Sequence, residues 1–174
     1  MSAEDGAPVV LQTARLKLEA LTAAHAQEMA PVLADERLYT FTGGRPPTLG
    51  ELRARYARQV KGRSPDGVER WLNWILRRRS DDLAVGFVQA TVAEDPGPAT
   101  AELAWVVGVG FQGCGYAREG AEAAMRWLEE AGVQRFVAYI HPAHRASMGV
   151  ARGLGMASTD ERVDGEVVWE RRAG

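Results

Sequence analysis

The chain reads as one mixed α/β domain, and three observations point there. Residues 71–76, 83–92 and those from 101 onward form apolar runs separated by charged or Pro/Gly turns, the pattern of an antiparallel meander. Residues 101–132, AELAWVVGVGFQGCGYAREGAEAAMRWLEEAG, pass from an apolar strand through a glycine-dense turn into an amphipathic helix, and RFVAYI at 135–140 follows as another strand. Asp164-Gly165, flanked by Val163 and by Val167, Val168 and Trp169, is the dipeptide of a two-residue hairpin. At 174 residues, with no repeat and no linker, residues 11–174 form a single domain behind a loose tail at 1–10.

The elements follow in order. Arg15 to Leu21 alternates through Leu16 and Leu18 as a strand does. Thr22 is placed to cap a helix running to about Ala34, with Met29, Val32 and Leu33 on its apolar side. After the turn cluster 42–47, Thr48 and Glu51 spell a capping box, opening a helix with Leu52, Tyr56 and Val60 at helical spacing; Gly62 to Gly67 ends it. Arg77, Arg78 and Arg79, followed by Ser80, Asp81 and Asp82, read as a solvated hairpin tip, and Asp95-Pro96-Gly97-Pro98 makes the next turn. The helix from Ala117 to Ala131 buries Ala121, Ala124, Met125 and Leu128 and stops at Gly132.

Composition excludes several classes. Hydrophobic residues at 46% and charged residues at 25% are ordinary for a globular protein, and a formal charge of −2 gives no electrostatic footing for nucleic acid. No apolar run approaches the roughly 20 residues of a membrane span, and the N-terminus lacks a basic start and an apolar signal core, so no membrane partner and a cytoplasmic location are expected. One cysteine excludes an internal disulfide, and three histidines without an H-E-x-x-H pair give a metal no sequence support.

The glycine-dense turn carries the chemistry. The first N–H groups of a helix have no internal partner and the helix dipole favours negative charge, so this turn is laid out to hold a phosphate group. Gly108, Gly110 and Gly113 spell G-x-G-x-x-G, but the Asp or Glu that a dinucleotide site needs at the end of the next strand is absent, because that strand runs into His141 and Pro142. Gln112-Gly113-Cys114-Gly115-Tyr116-Ala117 has instead the form Q-x-x-G-x-A, and here the chain resembles the GNAT superfamily of acetyl-CoA-dependent N-acetyltransferases. Thr13 to Leu18 is similar to the T-x-R-L-x-L strand of its branch acting on ribosomal-protein N-termini (RimJ/RimL-like), and Gly115 to Glu119 to that branch's G-Y-A-x-E. His141 to Ser147, with Gly153-Leu154-Gly155-Met156, resembles its P-x-N-x-x-S … L-G-F block. Two positions depart from the pattern: His144 stands where the family has Asn, and Cys114 where it often has Lys.

The resemblance implies a GNAT fold, with a mostly antiparallel sheet containing a splayed parallel pair, and acetyl-CoA as co-substrate. It assigns cofactor contacts to Val107, Gln112, Gly113, Cys114, Gly115, Tyr116, Ala117, Arg118, His144 and Ser147, with the main chain of Val107 at the splay. Direct attack by an amine needs an oxyanion donor, a base and an acid for the thiolate. Ser147 is the family's thiolate donor, with Tyr139 and Tyr116 as substitutes. The base candidates are Glu102, His141 or a bound water, and strict alternation sets Glu102 opposite Trp105 and Val107, so that a bulge is needed to bring both sets to one site. Tyr39, Phe41, Trp71, Asn73 and Trp74 are expected to supply the acceptor pocket, with only one of the two tryptophans facing it. The acceptor is expected to be the amine of a protein N-terminus or a small molecule, with a non-catalytic acetyl-CoA sensor as the alternative. The final hairpin leaves an edge on which a homodimer can form.

Overall fold

The computed structural model describes residues 8–93 and 96–174. Asp95 of the expected turn and residues 1–7 of the expected tail lie outside them. Strands β1 (Leu11–Gln12) and β2 (Leu16–Ala20) are followed by helices α1 (His25–Val32) and α2 (Leu49–Gln59) and the meander β3 (Glu69–Arg78), β4 (Leu83–Ala93) and β5 (Thr100–Val107). Then come α3 (Tyr116–Glu130), β6 (Arg135–Ile140), α4 (Arg145–Gly153), and the hairpin β7 (Ala157–Val163) and β8 (Glu166–Arg172). One sheet takes all eight strands in the order β1-β2-β3-β4-β5-β6-β8-β7, antiparallel except for β5 and β6. The mixed architecture and the parallel pair are those expected from the sequence.

Each face of the sheet has its own core. On one, Leu16, Leu18, Leu72, Trp74, Leu103 and Phe136 pack beneath α3 through Ala121, Ala124, Met125 and Leu128. Gly120 permits that approach, since a Cβ there would lie 2.7 Å from Leu76 Cδ2. On the other face, Ile75 and Ala84 meet Ala26, Met29 and Leu33 of the α1 segment and Leu52 and Tyr56 of α2. Trp74 is fully buried, edge-on to Trp127 at 5.9 Å, and its indole N–H donates to the Val9 carbonyl, within the stretch expected to be a tail. Truncating such a side chain costs about 3–5 kcal/mol.

Local signals held at some helix ends and failed at others. Thr48 Oγ1 accepts from the Glu51 N–H and Glu51 returns a hydrogen bond to the Thr48 N–H, so the capping box is formed. Thr22 caps nothing: its N–H donates to His25 Nδ1, and α1 begins only at His25. Val60 leaves the buried stripe of α2 and is 45% exposed. The three arginines are not a solvated tip. Arg77 donates to the carboxylates of Glu19 on β2 and Glu28 on α1, fastening that helix to the sheet, and Arg79 donates to the Thr13 carbonyl. The Arg77 hydrogen bonds, outweighing burial, hold the Glu19 carboxyl at about 2. These two carboxylates cluster with His25, but the Arg77 guanidinium occupies both. The exposed edge strand β7, Ala-Ser-Thr-Asp-Glu-Arg-Val, is polar and slips register between Ser158 and Arg162, features that blunt edge pairing.

Candidate active site

The parallel pair separates soon after it forms. Pairing runs through Thr100–Arg135, Ala101–Phe136 and Glu102–Val137 and stops, although β5 continues to Val107 and β6 to Ile140. A register shift between Leu76 and Arg77 marks a bulge in β4 at Val85, which raises local twist; β5, in register with β4 through Gly86–Val107, follows it away from β6. Gly86 allows this contact, because a Cβ there would sit 2.2 Å from the Val106 oxygen. A cleft opens at the carboxyl ends of two parallel strands, a usual ligand position in α/β sheets.

Main-chain groups line the cleft on the β5 side. The Gly108 N–H donates to the Val85 oxygen on β4, so alternation along the strand turns the N–H and C=O of Val107 toward the opening. The Val107 oxygen accepts from Gln112 Nε2 at 3.0 Å, which folds the loop back onto the strand end. Gly113 and Gly115 take φ +77° and +84°, the left-handed region that glycine adopts freely. Among the described residues, the N–H groups of residues 113–118 have no hydrogen-bond acceptor, whereas the Glu119 N–H bonds the Gly115 oxygen. Six free donors at the start of a 15-residue helix make a strong anion cradle. Cys114 is exposed within it. Arg118 instead packs along Gly153 of α4, tying the two helices together.

The two family-like segments at 13–18 and 115–119 are one structural unit. Thr13 Oγ1 donates to Glu119 Oε1 at 2.6 Å, the Arg15 N–H to the same oxygen at 2.9 Å, and Arg15 Nε to Oε2 at 2.7 Å. Burial works to raise the Glu119 carboxyl, but these three hydrogen bonds prevail and hold it below the usual range. The Arg15 guanidinium also lies 4.7 Å from the centre of the Tyr116 ring. Sequence reasoning noted both motifs and missed the bond between them.

Across the cleft, β6 delivers His141 and the start of α4. Ser147 Oγ and His144 Nε2 are 3.0 Å apart. Burial, with His141 adding to it, lowers the His144 ring below the usual histidine range, so it is neutral at pH 7. Phe41, from the segment between α1 and α2, stacks on His144 at 4.5 Å and tilts against His141 at 5.3 Å. His141 Nδ1 accepts from the Ala143 N–H. An expected pocket residue, an expected acid and an expected base thus share one corner.

The remaining candidates separate by face. Pairing of β4 with β5 is unbroken, so β5 holds no bulge and its alternation is intact. Glu102 therefore stands on the α1–α2 face, while Val107 sends its side chain toward α3 and only its main chain to the cleft. Although its surface is open to solvent, neighbouring strands partly desolvate the Glu102 carboxyl and push it up, with the charges of Glu69 and Glu166 adding to the shift. Trp71 and Asn73 share that face, and Trp71 Nε1 donates to Glu69. Trp74 points into the opposite core, as parity demanded of one of the pair. The Tyr39 hydroxyl donates to the Leu33 carbonyl, latching the segment after α1.

A model of the acetyltransferase (GNAT) domain matches residues 15–157, most of the chain. The chain belongs to the GNAT acetyltransferase family. It is an N-acetyltransferase of that type. Solved structures with the same fold include an acetyltransferase from Agrobacterium tumefaciens, 25% identical with a TM-score of 0.72, covering 94% of each chain. RimL, a ribosomal alpha-N-protein acetyltransferase in complex with coenzyme A, is 17% identical with a TM-score of 0.75, covering 94% of this chain and 98% of its own. A ribosomal-protein-S5-alanine acetyltransferase from Vibrio fischeri is 15% identical with a TM-score of 0.75, covering 95% and 97%. The curated proteins contain no match to this sequence. No helix among the described residues is long and apolar enough to cross a membrane.

Proposed function

We propose that this GNAT enzyme transfers the acetyl group of acetyl-CoA to a primary amine by direct attack. The observation that carries the reading is the cleft between β5 and β6, with six free N–H donors on one side and the Ser147–His144 pair on the other. The cradle at 113–118 holds the pyrophosphate, and the Val107 N–H faces the thioester carbonyl, where negative charge develops in the transition state. The amine nitrogen attacks the carbonyl carbon, the C–S bond breaks, and the thiolate takes the Ser147 hydroxyl proton; the proton given up by the amine returns through solvent to the Ser147 alkoxide, which closes the cycle. With its own proton on Nε2, His144 donates to Ser147 Oγ and leaves the hydroxyl proton directed at sulfur. The proton of the amine leaves through bound water to Glu102, which stands on the acceptor face, raised above the ordinary carboxylate value, and too far along β5 from Val107 to touch the amine itself.

A sensor that binds acetyl-CoA without turnover rested on His144 replacing Asn, and a histidine bonded to Ser147 gives that reading no further support. The test is Ser147→Ala with acetyl-CoA and a panel of amines. Turnover is expected to fall about 10²- to 10⁴-fold with acetyl-CoA affinity little changed. Full turnover in the variant removes Ser147 from the reaction, and no acetylation of any amine by the native chain removes the enzyme.

A further inference from the structure

His144 and Ser147 hold a chemistry that direct acetyl transfer leaves unused. His144 is the N-cap residue of α4, yet its side chain caps no helix N–H; the ring reaches Ser147 Oγ instead, at 3.0 Å. Among the described residues Ser147 Oγ bonds no main-chain carbonyl, the usual partner of a serine in the first turn of a helix. Neither side chain is therefore serving the helix. A hydroxyl and an imidazole within about 2.6–3.2 Å of each other are the nucleophile and base of an activated serine, and such a base is held by a third group. That group is Phe41, whose ring stacks on His144 at 4.5 Å with 21° between the planes.

The tautomer of His144 decides what Ser147 does. The ring is neutral at pH 7, so it holds one proton and offers one basic nitrogen. With the proton on Nε2, the ring donates to Ser147 Oγ and the hydroxyl serves the thiolate, as in the transfer reaction. With the proton on Nδ1, Nε2 becomes the acceptor and the Ser147 hydroxyl donates to it. Among the described residues Nδ1 has no hydrogen-bond partner to fix either form, and the ring is only half-buried, so solvent can exchange its proton. An asparagine at this position offers no such choice, because a carboxamide nitrogen takes no proton near pH 7.

We infer that, with acetyl-CoA bound and no amine in the cleft, Ser147 is acetylated with His144 as its base, and the protein is a slow acetyl-CoA hydrolase. This rests on the proposed placing of the thioester, with its sulfur at Ser147 Oγ; the carbonyl carbon is bonded to that sulfur and lies beside the same hydroxyl. His144 Nε2 takes the hydroxyl proton, Oγ attacks the carbonyl carbon and the C–S bond breaks. The imidazolium then protonates the thiolate, leaving acetyl-Ser147 and CoA. A water gives one proton to Nε2 as its oxygen attacks the ester carbonyl, the Oγ–C bond breaks, and that proton passes from Nε2 to Oγ. Acetyl-CoA and water thus give CoA, acetate and one proton, and the Val107 N–H faces the oxyanion of both steps. Disabling the carboxylate of a serine triad costs about 10⁴-fold in kcat. With no carboxylate on Nδ1, hydrolysis runs well below amine transfer and surfaces when no amine competes.

The experiment incubates the native protein with acetyl-CoA and no amine, follows thiol release, and quenches samples in acid from milliseconds to minutes for peptide mass spectrometry, with a panel of amines run in parallel. A peptide carrying one acetyl group on Ser147 is expected, together with thiol release that Ser147→Ala abolishes. His144→Asn should remove the adduct and lower thiol release about 10²- to 10⁴-fold, because the carboxamide can donate to Ser147 but cannot take its proton. No acetyl-Ser147 at any time, an adduct on another residue, or hydrolysis undiminished in either variant overturns the inference. An adduct on Ser147 with no amine acetylated supports the inference and overturns acetyl transfer, whereas amines acetylated with no adduct does the reverse.

Discussion

Replacing Glu119 by alanine should loosen the strand at the N-terminus from the phosphate cradle. The carboxylate accepts from the Thr13 hydroxyl, the Arg15 N–H and the Arg15 guanidinium, and its side chain is 18% exposed. Hydrogen bonds to a charged group are each worth about 1.5–3 kcal/mol, but Arg15 is 47% exposed and its share is screened, so a loss of about 2–4 kcal/mol is expected. For a chain of this size that is a fall in Tm of roughly 5–15 °C. The sign of the pH effect follows from the lowered carboxyl. Its contribution is complete above the unfolded-state value of about 4.3 and is lost as pH falls through the lower folded value. The gap between native and variant protein should therefore be widest near pH 7 and narrow below about pH 4. Urea unfolding followed by circular dichroism at several pH values measures this, with CoA affinity as a second readout. A variant within about 0.5 kcal/mol of native at pH 7 would show that the clasp is ornamental.

Three further outcomes follow from the same geometry. Gly115→Val places a β-branched residue at φ +84° and should lower CoA affinity at least tenfold while thermal unfolding stays cooperative; normal affinity by calorimetry would place the cradle elsewhere. With Glu102 as base, kcat should fall on an acid limb lying above the ordinary glutamate value, because the carboxyl must be ionised; Glu102→Gln should erase that limb and lower kcat about 10²- to 10⁴-fold, and an unchanged pH profile would pass the role to water or His141. Cys114 is exposed in the loop, so iodoacetamide should modify it quickly in the free protein and slowly with CoA bound; equal rates would separate the thiol from the pyrophosphate.

What the sequence determined by itself was local or periodic. The Thr48–Glu51 box, the Asp164-Gly165 hairpin, the buried stripe of α3 and the glycines that take positive φ in the cradle are each set by residues within a few positions of one another. Thr22 failed as a cap because its hydroxyl meets the His25 imidazole instead of a helix N–H, and Val60 failed because helical spacing does not say where a helix leaves the core. Only the tertiary structure joined Thr13 and Arg15 to Glu119, set Arg77 between Glu19 and Glu28, and laid Phe41 on His144. Periodicity records which face a residue shares with its chain neighbours, and carries no term for a partner 100 residues away. The face that Trp71 and Asn73 share with Glu102 was hidden for the same reason, since three strands had to find their register before these side chains stood on one side.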